Sequence, residues 1–233
     1  ISEINEVLTV ENKYENEYPL SSTIFLTDAC NYKCLHCFYS CGNKVNFMEE
    51  ETLIKCLNDL KQKNVRYLTL TGGEPLLFGN LEWCIKECKK YGFEIFLLTN
   101  GSLINDEIVR ILKENNVYVQ VSLDGINESY EKIRIGSKFE WVNNGLTLLK
   151  KGEVLFDISF TPNSVNLNSI EDVIEYAISM GAKSIHIPIL EEYGNARENI
   201  QKLQLDTKVL LDVLINLIDR YYDGLRNKIK ISF

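Results

Sequence analysis

In residues 117–123 every second side chain is aliphatic and the others are polar. Val117, Val119, Val121 and Leu123 share one face, opposite Tyr118, Gln120, Ser122 and, continuing, Asp124. Residues 154–160 split the same way, Val154, Phe156, Ile158 and Phe160 against Leu155, Asp157, Ser159 and Thr161. In 183–189 the split is Ile185, Ile187 and Ile189 against Ser184, His186 and Pro188. A period of two over this length predicts strands. Further strands are predicted at 22–28, 65–71 and 93–99, with helical periodicity between at 49–62, 80–90, 105–115, 168–180 and 207–222. Asn80 and Asn168 are placed to cap two of these helices, and Gly92 and Gly181 to end them. Strands that alternate with helices imply βαβ units and a parallel sheet. A parallel sheet covered on both faces is apolar on both parities. Here one parity of the later strands is polar, which predicts an α/β fold of the partial (β/α)6 barrel type, with helices outside and a wet interior.

The barrel is expected to occupy 20–225, after a polar lead at 1–19. Residues 226–233 read as the start of a further element, because the final IKISF alternates like another strand and then stops; the chain is therefore expected to be the core of a longer protein. No apolar run reaches the roughly 18–20 residues of a membrane-spanning helix. The acidic, polar N-terminus, ISEINEVLTVENKYENEYP, is unlike a signal peptide. Seven cysteines without such a signal point to a reducing, cytoplasmic setting, where clustered thiols are more often metal ligands or redox groups than a disulfide frame. A net charge of −8 with no basic stripe argues against a nucleic-acid partner.

Four of the cysteines fall within CNYKCLHCFYSC, residues 30–41, just past the first strand, where barrel loops carry active sites. Three soft-metal readings compete. Zinc prefers separated C-x2-C pairs or a Cys/His mixture that closes a tetrahedron, which four thiols in one short loop make awkward, although His36 could replace one. Ferredoxin clusters use a different run. The third reading takes Cys30, Cys34 and Cys37 as ligands of three irons in a [4Fe–4S] cube whose fourth iron stays open, as a catalytic metal requires. Cys41 is then non-ligating, and Cys56, Cys84 and Cys88, on apolar helix stripes, are core residues.

Three further motifs follow in order at strand ends: Thr71-Gly72-Gly73-Glu74-Pro75, Leu98-Thr99-Asn100-Gly101 and Val121-Ser122-Leu123-Asp124-Gly125. With the cysteine triplet and Phe38 after it, residues 20–200 resemble the radical S-adenosylmethionine (SAM) superfamily. The resemblance implies SAM chelated to the open iron and cleaved by one electron to methionine and a 5′-deoxyadenosyl radical, which abstracts hydrogen from a substrate. It assigns Gly72, Gly73 and Glu74 to the amino group, Asn100, Ser122 and Asp124 to the ribose or carboxylate, Arg134 to the carboxylate, and His36 and Phe38 to the neighbourhood of the adenine. Gln120, Asp157, Ser159, Thr161 and His186 are the inward polar positions open to a substrate. No single catalytic base stands out.

The segments CNYKCLHCF and Gly194-Asn195-Ala196-Arg197 are similar to the peptide-modifying (SPASM/twitch) branch of ribosomal peptide maturases and sulfatase-maturing enzymes, although Asn195 stands where that branch has arginine. The branch implies a peptide substrate undergoing thioether or carbon–carbon crosslinking and a flavodoxin- or ferredoxin-type electron donor. No cysteine follows Cys88, so auxiliary iron–sulfur clusters are expected only in a longer chain. The competing readings are a radical enzyme of small-molecule cofactor synthesis and a non-catalytic iron–sulfur or zinc module.

Overall fold

The computed structural model describes residues 19–41, 45–225 and 229–232. In chain order the elements are β1 (Ser21–Phe25), β2 (Lys33–Cys34), α1 (Glu50–Gln62), β3 (Tyr67–Thr71), α2 (Leu81–Lys90), β4 (Glu94–Thr99), α3 (Asp106–Glu114) and β5 (Tyr118–Ser122). They continue with α4 (Glu128–Ile133), β6 (Arg134–Ile135), α5 (Phe139–Lys151), β7 (Phe156–Ser159), α6 (Ile170–Met180), β8 (Ser184–His186), α7 (Gly194–Glu198), α8 (Ile200–Leu203), α9 (Thr207–Leu225) and β9 (Lys230–Ser232).

Seven strands form one parallel sheet in the order β1-β3-β4-β5-β7-β8-β9, and β2 and β6 form a small antiparallel ribbon. All six strands read from the sequence are present, and the alternation in IKISF is the seventh, β9, at the sheet edge. The architecture is a partial barrel with helices outside. Each helix-facing parity is buried: Ile24, Leu68, Leu70, Ile95, Leu97, Val119, Val121, Phe156, Ile158 and Ile185 pack against the helices. The opposite parity lines the open interior, where Tyr67, Phe96 and Tyr118 form an aromatic row across β3, β4 and β5. Cys84 and Cys88 are fully buried in the core, and Cys56 packs against it. Among the described residues no helix is long and apolar enough to cross a membrane.

Two helix starts differ from expectation. Residues 167–169 form a 3₁₀ turn, so Asn168 lies inside that turn and α6 begins at Ile170, without a side-chain cap. Asn80 does precede α2, but its amide donates to Glu50 Oε1 at 2.7 Å and ties α2 to α1 instead of capping. By contrast Asn105 caps α3, accepting from the Ile108 N–H at 2.9 Å. Gly181, with φ +84°, ends α6 as the sequence predicts.

The two parities differ in their energetic weight. Leu97→Ala, which empties a fully buried site in β4, is expected to cost about 2–5 kcal/mol in denaturant unfolding. Thr69→Ala on the inward face of β3 is expected to stay within about 0.5 kcal/mol.

Candidate active site

The cysteine loop leaves β1 and is anchored from several sides. Cys34 lies in β2, opposite Arg134 of β6 in the ribbon. The Leu35 N–H donates to the Ile133 carbonyl at 2.9 Å, and the Cys37 N–H to that of Cys34 at 3.2 Å. From the far end of the chain, Asn195 donates its N–H to the Cys37 carbonyl at 2.9 Å and its side-chain amide to the Cys34 carbonyl at 3.1 Å. Asn199 reaches the Leu35 carbonyl at 3.4 Å. Gly194 (φ +52°) sits so close beneath that a Cβ would meet the Phe38 carbonyl oxygen at 2.3 Å.

The glycine motif after β3 fastens to the same loop. The Gly73 and Glu74 N–H groups donate to the Thr27 and Ala29 carbonyls, each at 2.8 Å. A Cβ on Gly72 would fall 2.2 Å from the Thr27 oxygen, and one on Gly73 2.1 Å from the Ala29 oxygen. Within the protein, these glycines are therefore required by the close approach of two backbones.

A cavity of about 330 Å³ opens where these segments meet. Its walls include Cys30, Cys34, Cys37, Cys41, Gly72, Gly73, Asn100, Ser122 and Arg134, together with His36, Phe38 and Thr161. Two sequence-selected residues, Glu74 and Asp124, stand behind the wall, each fully buried. Glu74 accepts from the Thr99 hydroxyl at 2.6 Å, the Asn100 N–H at 2.8 Å and the Leu76 N–H at 3.1 Å. Burial raises its pKa, and these donors work against the rise. The Asn100 amide in turn donates to Asn31 Oδ1 at 2.9 Å and accepts from Ser102.

Asp124 is the most heavily bonded group. It receives Arg134 Nε at 2.7 Å, His36 Nε2 at 3.0 Å and the Thr161 N–H at 2.7 Å. Burial alone would raise its pKa, but Arg134, then His36 and the Thr161 N–H, outweigh it and hold the carboxyl well below the usual range. Arg134 also lies over the Tyr130 ring at 5.7 Å and points Nη1 at Cys34 Sγ, 3.8 Å away. Burial pushes the Cys34 thiol up to about 12, against the pull of Arg134. Between Cys37 and Cys41 a side-chain hydrogen bond lowers the first thiol and raises the second.

Asn31 and Asn199 were not singled out in the sequence; Thr99 and Asn195 stood within quoted motifs, without the hydrogen-bonding roles they have here. Asn166, fully buried, supports Asp124 by donating to its backbone carbonyl at 3.1 Å.

A metal and cofactor fit this chemistry on two observations. The three sulfurs border one cavity, and an iron–sulfur cube takes its thiolates at separate corners. At the same wall, His36 Nδ1 is buried without a protein partner.

The model of the Radical SAM superfamily matches residues 24–177. Sporulation killing factor maturation protein SkfB of Bacillus subtilis (strain 168) is 27% identical over 214 residues, covering 90% of this chain and 52% of that protein. AdoMet-dependent heme synthase of Methanosarcina barkeri is 29% identical over 191 residues, covering 80% and 55%. Among solved structures, native anSMEcpe with bound AdoMet and Cp18Cys peptide superposes with a TM-score of 0.76 at 26% identity, over 92% of this chain and 63% of that one. The chain thus spans about half the length of the curated relatives it matches.

Replacing Asp124 by Asn leaves the Arg134 charge buried without its partner, at an expected cost of about 3–5 kcal/mol in denaturant unfolding at neutral pH. The folded-state pKa of Asp124 is depressed, so its stabilisation is complete above the unfolded value of 3.8 and is lost as pH falls below it. The gap between wild type and Asp124→Asn is therefore expected to narrow in acid, read as converging denaturation midpoints.

Proposed function

The chain belongs to the Radical SAM superfamily, and from that membership we propose an enzyme that cleaves SAM reductively at a [4Fe–4S] cluster and abstracts hydrogen from a peptide substrate. The observation that carries this reading is the convergence of Cys30, Cys34 and Cys37 on one cavity with Gly72, Gly73, Ser122 and Arg134. A cluster and SAM bound there supply a one-electron break of the sulfonium S–C5′ bond and a 5′-deoxyadenosyl radical.

The protein's own groups do the holding. Cys30, Cys34 and Cys37 would give three thiolates, their protons released to solvent as iron takes the sulfurs. Cys41, whose thiol donates to Cys37, would stay outside the ligand set, so that the cluster would keep a position for SAM. Arg134, anchored by Asp124, presents positive charge to the SAM carboxylate. Glu74 acts from behind, fixing Asn100 at the wall. Ser122 and the free Nδ1 of His36 offer hydrogen bonds to the ribose and adenine. The curved sheet excludes bulk water and orients the substrate; the difficult bond chemistry is the cofactor's.

A ribosomally made peptide undergoing thioether or carbon–carbon crosslinking is the favoured substrate. It is supported by the similarity to SkfB and by the Cp18Cys peptide in the anSMEcpe structure. A flavodoxin- or ferredoxin-type protein is the proposed electron donor. Small-molecule chemistry is the second reading, supported by the similarity to the heme synthase.

Anaerobic reconstitution with iron and sulfide, followed by dithionite and SAM, tests the assignment. Wild type and Cys41→Ser are expected to bind about four irons per chain and release 5′-deoxyadenosine. Cys30→Ser, Cys34→Ser and Cys37→Ser are each expected to lose the cluster absorbance and the product. A fully loaded wild-type cluster that yields no 5′-deoxyadenosine would overturn the reading.

A further inference from the structure

Below the cysteine cavity, the inward face of the sheet carries a row of hydroxyls and one imidazole. Strand register aligns Ser122 with Ser159, Ser159 with His186, and His186 with Ser232. All four lie on the parity opposite the buried Val121, Ile158, Ile185 and the partly buried Ile231. Ser122 borders the cysteine cavity, so the row begins at the cofactor wall and runs away from it by about 4.8 Å per strand. Thr161 and Pro188 also line that cavity, and they stand two residues above Ser159 and His186. The row is therefore the next layer of the interior. His186 Nδ1 sits 3.1 Å from Ser232 Oγ, which fixes the ring and leaves Nε2 as the nitrogen available to a substrate.

The charge around this row is as informative as its shape. On the inward parity of the described strands the ionisable groups are Glu94, Asp157, His186, Lys230 and the tyrosines 67 and 118. Asp157 is committed, accepting the Tyr118 hydroxyl at 2.6 Å and the Ser184 N–H at 2.7 Å. Lys230 is exposed on the edge strand, level with Ser184. In the cavity above, Arg134 is the one lysine or arginine among the lining residues, and Asp124 holds it. A phosphorylated or multiply carboxylated substrate would lose its water here without cations to replace it. An uncharged chain of amides would find donors and acceptors spaced across β7, β8 and β9.

We propose that Ser159, His186 and Ser232, next to the cofactor-side Ser122, form the substrate seat, and that it selects an uncharged polypeptide segment over a polyanion such as a nucleotide or a tetrapyrrole. This rests on the radical SAM reading above and narrows its substrate class.

The chain's two histidines make a direct test simple. His186 is half-buried, whereas the His36 side chain is 9% exposed and serves as an internal reference. The reconstituted protein with SAM is treated with diethyl pyrocarbonate, and carbethoxylation of each histidine is followed by peptide mass spectrometry. Three probes are compared: a pool of short, uncharged, end-blocked peptides, GTP, and iron coproporphyrin III. The peptide pool is expected to slow modification of His186 by about fivefold, the slowing that four-fifths occupancy gives, while GTP and the porphyrin leave the rate unchanged. A histidine with only a structural role is not shielded by an added ligand. Protection by GTP or the porphyrin equal to that by peptides, or protection by none of the three, would overturn the proposal. Release of 5′-deoxyadenosine is measured in the same samples. Its absence strikes the enzyme reading, whereas its presence with His186 unshielded strikes the seat alone.

Discussion

The buried carboxylate of Asp124 draws three segments of the chain to one point. It receives Arg134 from the β2–β6 ribbon, His36 from the cysteine loop and the Thr161 N–H from beyond β7. A buried ion pair of this kind is weak evidence for net stability, since desolvation offsets most of its attraction. Its contribution is specificity of position. Three donors converging on one carboxylate restrict how the ribbon, loop and strand end beyond β7 can sit around the cavity.

The wall opposite is built by backbone contact. Two glycines bring the segment after β3 against the cysteine loop at distances no Cβ would permit, and the Gly73 and Glu74 N–H groups complete the seam. Behind it Glu74 links Thr99 and Asn100, so the ends of β3 and β4 are registered through one side chain. Glu74 and Asp124, two carboxylates that the sequence aims at a ligand, are fully buried behind the cavity and bonded to groups of its wall.

The sheet was legible because burial and exposure alternate along its strands, and that alternation is written directly in residues such as Val119, Gln120 and Val121. The cysteine loop and the three strand-end motifs were legible because their residue types are chemically uncommon in that order. What escaped the reading has a physical cause in each case. The burial of Asp124 is one instance: β5 ends at Ser122 and Gly125 adopts φ +155°, so the alternation no longer tells direction there. The β2–β6 ribbon is two residues long on each side and carries no periodicity to read. Asn168 looked like a cap, yet a 3₁₀ turn at 167–169 moved the helix start past it. Asn31, Asn195 and Asn199 act through contacts distant in sequence, to which local pattern is blind.

The clasp made by Asn195 and Asn199 has a consequence for how the protein matures. These two side chains close on the cysteine loop across separations of 161 and 164 residues. Translation adds roughly 5–20 residues per second, so the thiols emerge from the ribosome on the order of ten seconds before their clasp is synthesised. During that interval the loop lacks its last backbone partners. The loop's backbone is thereby completed by the part of the barrel made last among its partners.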